Sequence, residues 1–310
     1  MRRTWAPCTE QAAAAGEPML GTAPQAQLWI AIEQWGPYGH KALTESRFPR
    51  EVGERLPAAI GSLPIKVVLV RPAGPHALRR GNPEPHLQRT RRMWVARSTP
   101  GHVAMVSTTI ADPRELLGLD LAALLDSELD DVVPASTAES APLLLICTNG
   151  KRDACCAQLA RPVADSLGTQ ERWRDRVWES SHLGGHRFAP TGLQLPHGWV
   201  HGRMDPENAA ALMTAADAGA VDLTRVRGRS SLSPAAQVAD VVVRSTYRIS
   251  GLDATSVTAG ADETEWVVSS ATRSYLQRVE ATTGPARTES CGAVAQLWKG
   301  FEAVNAPRER

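Results

Sequence analysis

Short apolar blocks alternate with glycine- and proline-rich breaks along this chain, and the period inside each block predicts its element. "QLWIAIEQWGPYGHKAL" reads as a strand, a Gly/Pro turn and a helix start near Gly39. "LPIKVVLVRP" is a compact valine-rich run between prolines and suits a buried strand. "RRMWVAR" and "HVAMVSTTI" give two more strands, and "DPRELLGLDLAALLD" is a helix or helix pair opened by Asp-Pro. After the linker-like "PASTAESAP", "LLLIC" is a strand that delivers Cys147 at its C-terminal end. "CAQLARPVADSLG" is a helix ending at Gly168, "DRVWESS" a strand, and "HLGGHRFAPTG" a loop, because its paired glycines oppose a helix. "LQLPHGWVHGRM" reads as a hairpin around Pro196, and "DPENAAALMTAADAG" as a short helix.

Beyond residue 225 the pattern becomes α plus β, with a helix in "SPAAQVADVVVRSTYRIS" and strands in "TEWVVSSA" and "SYLQRVEAT". The first 25 residues, rich in Ala, Gly, Pro and Gln, read as a loose arm. The expected organisation is a flexible arm at 1–25, an α/β N-terminal domain at 26–138, a second α/β domain at 139–225 and an α+β extension at 226–310. No strong internal repeat shows in the residues, although both halves use the order strand, turn, helix.

Composition narrows the class without naming a function. At 310 residues the chain is long for one core, and 43% hydrophobic against 22% charged residues is a globular balance. A formal net charge of +1 gives no global field toward nucleic acid or an acidic partner. The N-terminal "MRR" is not followed by the apolar run of an export signal, and no long apolar run suggests a membrane span. A cytoplasmic protein is the expectation. "RPAGPHALRRGNPEPHLQRTRR" carries Arg71, Arg79, Arg80, Arg89, Arg91 and Arg92 against Glu84. It reads as a solvated loop or a docking surface for an acidic partner; without interleaved aromatics it gives little support to nucleic-acid binding.

The chemistry gathers in two motifs. Of the five cysteines, Cys147, Cys155 and Cys156 fall within "CTNGKRDACC", and 25 residues later "HLGGH" holds His182 and His186. Thiolate and imidazole are the donors shared by zinc and iron–sulfur centres, and each motif sits where a strand runs into a loop. The glycines let the backbone fold tightly enough for both imidazoles to reach one metal. A zinc finger fits poorly, since eight residues separate Cys147 from Cys156 and the glycines oppose the usual histidine helix. A Cys-x-x-Cys redox motif is missing, a vicinal Cys155–Cys156 disulfide requires a distorted peptide, and nothing places Asn149 or Asp153 for a papain-like site. The residues alone leave a metal site and a thiol redox site open. Trp178 reads as a core aromatic, and His197 and His201 as surface histidines.

"CTNGKRDACCA" followed by "VWESSHLGGHRFAPTGLQLPHGWVHGR" closely resembles the sucrase/ferredoxin-like family, and "LWIAIEQWGPYGHKAL" and "IKVVLVRPAG" are similar to its bacterial members. The resemblance covers about residues 27–205 and thins afterwards to "ESCGAVAQLW". It implies an α/β fold: a thioredoxin-like ferredoxin domain preceded by an α/β N-terminal domain and followed by a small α+β tail. It also implies a [2Fe–2S] cluster held by Cys147, Cys156, His182 and His186, with Cys155 a neighbour; zinc on the same ligands is the alternative cofactor. The expected function is electron transfer with a separate redox partner, such as a reductase, because no nicotinamide or flavin fingerprint occurs. Glycoside hydrolysis finds no support, since no motif sets two carboxylates across a sugar site.

Overall fold

The computed structural model describes residues 6–74 and 90–310. The first half of a large sheet is built from β1 (Leu28–Glu33), β2 (Ile65–Pro72), β3 (Arg91–Arg97), β4 (Ala104–Ile110) and the short β5 (Thr137–Ala138). The second half uses β6 (Leu143–Cys147), β7 (Val177–Ser180), β8 (Gly192–Leu195), β9 (Trp199–His201) and β10 (Val226–Arg229). All ten strands form one sheet in the order β10-β9-β8-β6-β7-β2-β1-β3-β4-β5. Its two halves repeat one plan. β1 and β2 are parallel, with β3 and β4 added antiparallel; β6 and β7 are parallel, with β8 and β9 added antiparallel. The halves meet where β2 and β7 pair antiparallel through Val70–Ser180 and Pro72–Trp178, so the C-terminal ends of both parallel pairs come to the centre of the molecule. The sheet therefore runs through the position of the linker-like segment, and β10, beyond residue 225, is still part of it.

Alternation decides which side chains face which layer. Leu28, Ile30 and Ile32 pack with Leu56 of the helix α2 at Arg50–Ile60. Leu144 and Ile146 pack with Ala160, Val163 and Leu167 of α3 at Ala154–Gly168, and with Leu212 and Met213 of α4 at Pro206–Asp217. The intervening residues Trp29, Ala31, Trp94, Leu143, Leu145, Cys147 and Trp178 form a second core shared by both halves. Trp94 and Trp178 meet there edge to face at 4.7 Å, so Trp178 is a core aromatic as expected. The mixed α/β class is as the sequence predicts.

The final helix, α5 (Pro234–Tyr247), packs Val238, Ala239 and Val243 against Val268, Tyr275 and Val279 of a second, antiparallel sheet. That sheet holds β11 (Ser256–Ala259), β12 (Glu265–Ser269), β13 (Ser274–Thr288), β14 (Ala295–Ala303) and β15 (Arg308–Glu309).

Three expectations need correction. The N-terminal stretch is not a loose arm over its described part: Cys8–Ala14 forms the helix α1, and Cys8, Ala12, Glu17, Ala23 and Ala26 are buried. The arginine-rich segment is not all loop. Arg71 ends in β2, paired with Glu179 at 2.5 Å, and Arg91 and Arg92 open β3; Arg79, Arg80 and Arg89 lie outside the described residues. His201 is fully buried in β9, and His197 is half-buried, because the hairpin that carries them lies inside the sheet and not at its edge. Among the described residues, no helix is long and apolar enough to cross a membrane.

Candidate metal centre

Strand β6 ends at Cys147, and helix α3 begins seven residues later, at Ala154, with Cys155 and Cys156 in its first turn. The side chain of Asp153 caps that turn by accepting the Cys155 N–H at 2.9 Å. Cys147 and Cys156 are fully buried, and their sulfurs and a ring nitrogen of His182 all lie within 4.8 Å of one another. His182 Nδ1 stands 4.0 Å from Cys147 Sγ. His186 stands slightly apart: its ring centroid is 5.2 Å from that of His182, and neither of its nitrogens has a hydrogen-bond partner. Its Nε2 faces Asp153 Oδ2 at 4.0 Å. Three of the four expected ligands thus share one locus, and the fourth lies beside it with unsatisfied nitrogens.

The electrostatics separate the two thiols. The Cys147 thiol is held well below its ordinary value, first by the Cys156 S–H donated to it and then, against burial, by His182. Cys156 is pushed up correspondingly, by the hydrogen bond it gives to Cys147 and by burial. A proton shared by two buried sulfurs is what a cation would displace. Burial also holds the His186 imidazole below the usual range, so it stands neutral with a lone pair available.

The histidine loop has a specific support. Gly184 and Gly185 both have positive φ, at +83° and +71°. The guanidinium of Arg227, from β10, lies directly against Gly185, where a Cβ would collide with it. Arg227 donates to the Gly184 carbonyl at 3.0 Å and to Thr22 O, tying the loop to the N-terminal stretch. Burial first, and then Arg187, lower its pKa to about 9. Sequence reasoning found the two glycines but not Arg227, which lies more than 40 residues away.

Cys155 turns the other way. Its sulfur lies 3.7 Å from Cys8 Sγ of α1 and 3.3 Å from Cys291 Sγ of the β13–β14 connection. Cys291 and Cys8 are 3.6 Å apart, and Asp153 Oδ1 and Oδ2 are each 3.7 Å from Cys8 Sγ. These four residues form a second group able to hold a metal ion. The Cys8 thiol, hydrogen-bonded to it, brings Cys155 down to about 6. Cys8 carried no sequence signal and Cys291 only the thin resemblance of "ESCGAVAQLW", since each is a lone cysteine far from the others.

Near the junction of the two half-sheets lies a cavity of about 500 Å³, lined by the turns after β1 and β6 and by Arg71, Lys151, Arg161 and Glu179. Lys151 faces this cavity. Arg152 stands 3.1 Å from His40, and Arg187 pairs with buried Glu17 at 2.7 Å.

No curated protein and no solved structure matches this chain. A family model described as sucrase/ferredoxin-like matches residues 19–228, which span both half-sheets and both motifs, and the chain belongs to that family.

Proposed function

We propose that the chain is an electron carrier whose [2Fe–2S] cluster is held by Cys147, Cys156, His182 and His186. The observation that carries this reading is the gathering of two buried thiols and two partly exposed imidazoles at the end of β6. The β-α-β pair followed by an antiparallel hairpin supports the thioredoxin-like reading of residues 139–225. When bound, the cluster supplies a one-electron redox centre.

The protein's own groups set its environment. Cys147 and Cys156 occupy the buried side, where the N-terminus of α3 favours negative charge. His182 and His186 occupy the outer side and face a redox partner such as a separate reductase. Neutral imidazoles in place of two thiolates remove negative charge, which raises the reduction potential above that of an all-cysteine site. Each histidine keeps a second ring nitrogen for a proton, so the potential falls as pH rises.

Purification without air is expected to give a coloured protein with about two irons and two acid-labile sulfides per chain. Cys147→Ser and Cys156→Ser lose the colour; Cys155→Ser keeps it. Exchanging His182 or His186 for cysteine lowers the potential and flattens its pH dependence. A colourless protein with zinc on the same residues would overturn electron transfer in favour of a scaffold role.

A further inference from the structure

We infer that Cys8, Cys155, Cys291 and Asp153 form a second, separate metal site that binds one zinc ion and fastens both ends of the chain to the N-terminus of α3. Four donors around zinc at about 2.3 Å in tetrahedral geometry place sulfurs about 3.8 Å apart. The three Sγ–Sγ separations here are 3.7, 3.6 and 3.3 Å, and the carboxylate oxygens stand 3.7 Å from Cys8 Sγ. Three sulfurs and one carboxylate whose donor atoms all lie within 4.8 Å of one another select zinc over the hard, oxygen-preferring cations.

Two further observations point to a cation. The Asp153 side chain is wholly buried, yet among the described residues its sole basic neighbour within ion-pair range is His186 at 4.0 Å. Its oxygens accept N–H and O–H bonds instead, from Cys155 N, Cys291 N at 2.8 Å and Ser290 Oγ at 3.1 Å. These fix the carboxylate facing the sulfurs, as outer-shell donors fix a metal ligand. The ligands also come from segments very far apart in sequence: 147 residues separate Cys8 from Cys155, and 136 separate Cys155 from Cys291. The segments that carry Cys8 and Cys291 are already joined by the buried Glu17–Arg287 pair, and a metal bound across them adds its binding free energy to that junction. Binding forms three Zn–S bonds and one Zn–O bond and releases the thiol protons to solvent, with no change in oxidation state. Asp153 then lies between this ion and His186 of the first site.

The test is metal counting on the full chain, prepared without air and without chelator. The expected result is about one zinc per chain in addition to iron. Cys8→Ser and Cys291→Ser each remove that zinc and leave iron and sulfide unchanged, whereas Cys147→Ser removes iron and leaves the zinc. Failure here is therefore distinct from failure of the electron-carrier reading. Should either variant misfold, wild-type protein in which cobalt replaces zinc provides the second measurement. Its thiolate-to-cobalt charge-transfer absorption is expected to have the intensity of three sulfur ligands. Zinc retained in both serine variants overturns the proposal. So does a zinc-free wild type whose unreduced peptides contain a Cys155–Cys291 disulfide, since the 3.3 Å pair would then be a redox couple.

Discussion

Adjacent residues on an α-helix point about 100° apart, so two neighbouring thiols cannot serve one locus equally. Cys156 turns to Cys147 and His182, and Cys155 turns to Cys8 and Cys291. Both sit at a helix N-terminus, yet their partners drive their proton affinities in opposite directions. The spacing from Cys147 to Cys156 was legible as a motif, but which thiol faced which site depended on the phase of α3. Gly185 makes a second point at this scale. Any side chain there meets a positive φ and the guanidinium of Arg227. Gly185→Ala is expected to destabilise the protein by about 2 kcal/mol, the cost of left-handed backbone plus a displaced buried arginine. Denaturant unfolding of the two proteins measures this, and an unchanged midpoint would show that the loop relaxes freely.

Short apolar runs bounded by proline, glycine or turn residues were read correctly as strands, as β2, β6 and the β8–β9 hairpin show. Helix α2 was missed because "REVGERLPAAI" contains Gly53 and Pro57, both helix-weakening, and the contacts that override them are tertiary. Gly53 is required because Leu43 O lies where its Cβ would stand. Helix α1 was missed for a related reason: its short alanine-rich run has no amphipathic stripe, and its anchors lie at the far end of the chain. One anchor is Glu17, just beyond α1, which pairs with Arg287 of β13 at 2.5 Å and with Arg187 beside the histidine loop at 2.7 Å. Glu17 and Arg287 are both almost wholly buried, so removing the carboxylate charge leaves a buried cation with only the exposed Glu289 at 4.0 Å to face it. Glu17→Gln is expected to lower stability by about 3 kcal/mol. Urea unfolding at neutral pH checks it; a loss below about 1 kcal/mol would mean that the pair behaves as a solvated one.

At the scale of the molecule, the two half-sheets share one strand plan and join through β2 and β7. Burying His201 within this assembly makes stability depend on pH. Its two ring nitrogens have no hydrogen-bond partners, and burial lowers its pKa to about 3. In the unfolded chain the same residue takes a proton near pH 6.5. Its contribution is therefore fully present above about pH 6.5 and is lost as pH falls toward 3, where the folded form is protonated too. Between pH 7 and pH 5 the wild type should lose about 2 kcal/mol more than His201→Leu. Parallel unfolding curves at the two pH values test this, and equal losses in both proteins would sink the assignment.

What the sequence determined by itself was local: the strand and helix periods, the Cys-x8-Cys and His-x3-His spacings, and the two glycines that let the histidine loop fold. Those features depend on residues close together in the chain, so the order of letters displays them. The tertiary structure decided the rest. It paired β2 with β7, carried Arg227 to Gly185, and brought Cys8 and Cys291 to Cys155. Each of these depends on contacts between segments many tens of residues apart. Such contacts are selected by the shape and burial of whole layers, which leave no period and no short motif in the sequence.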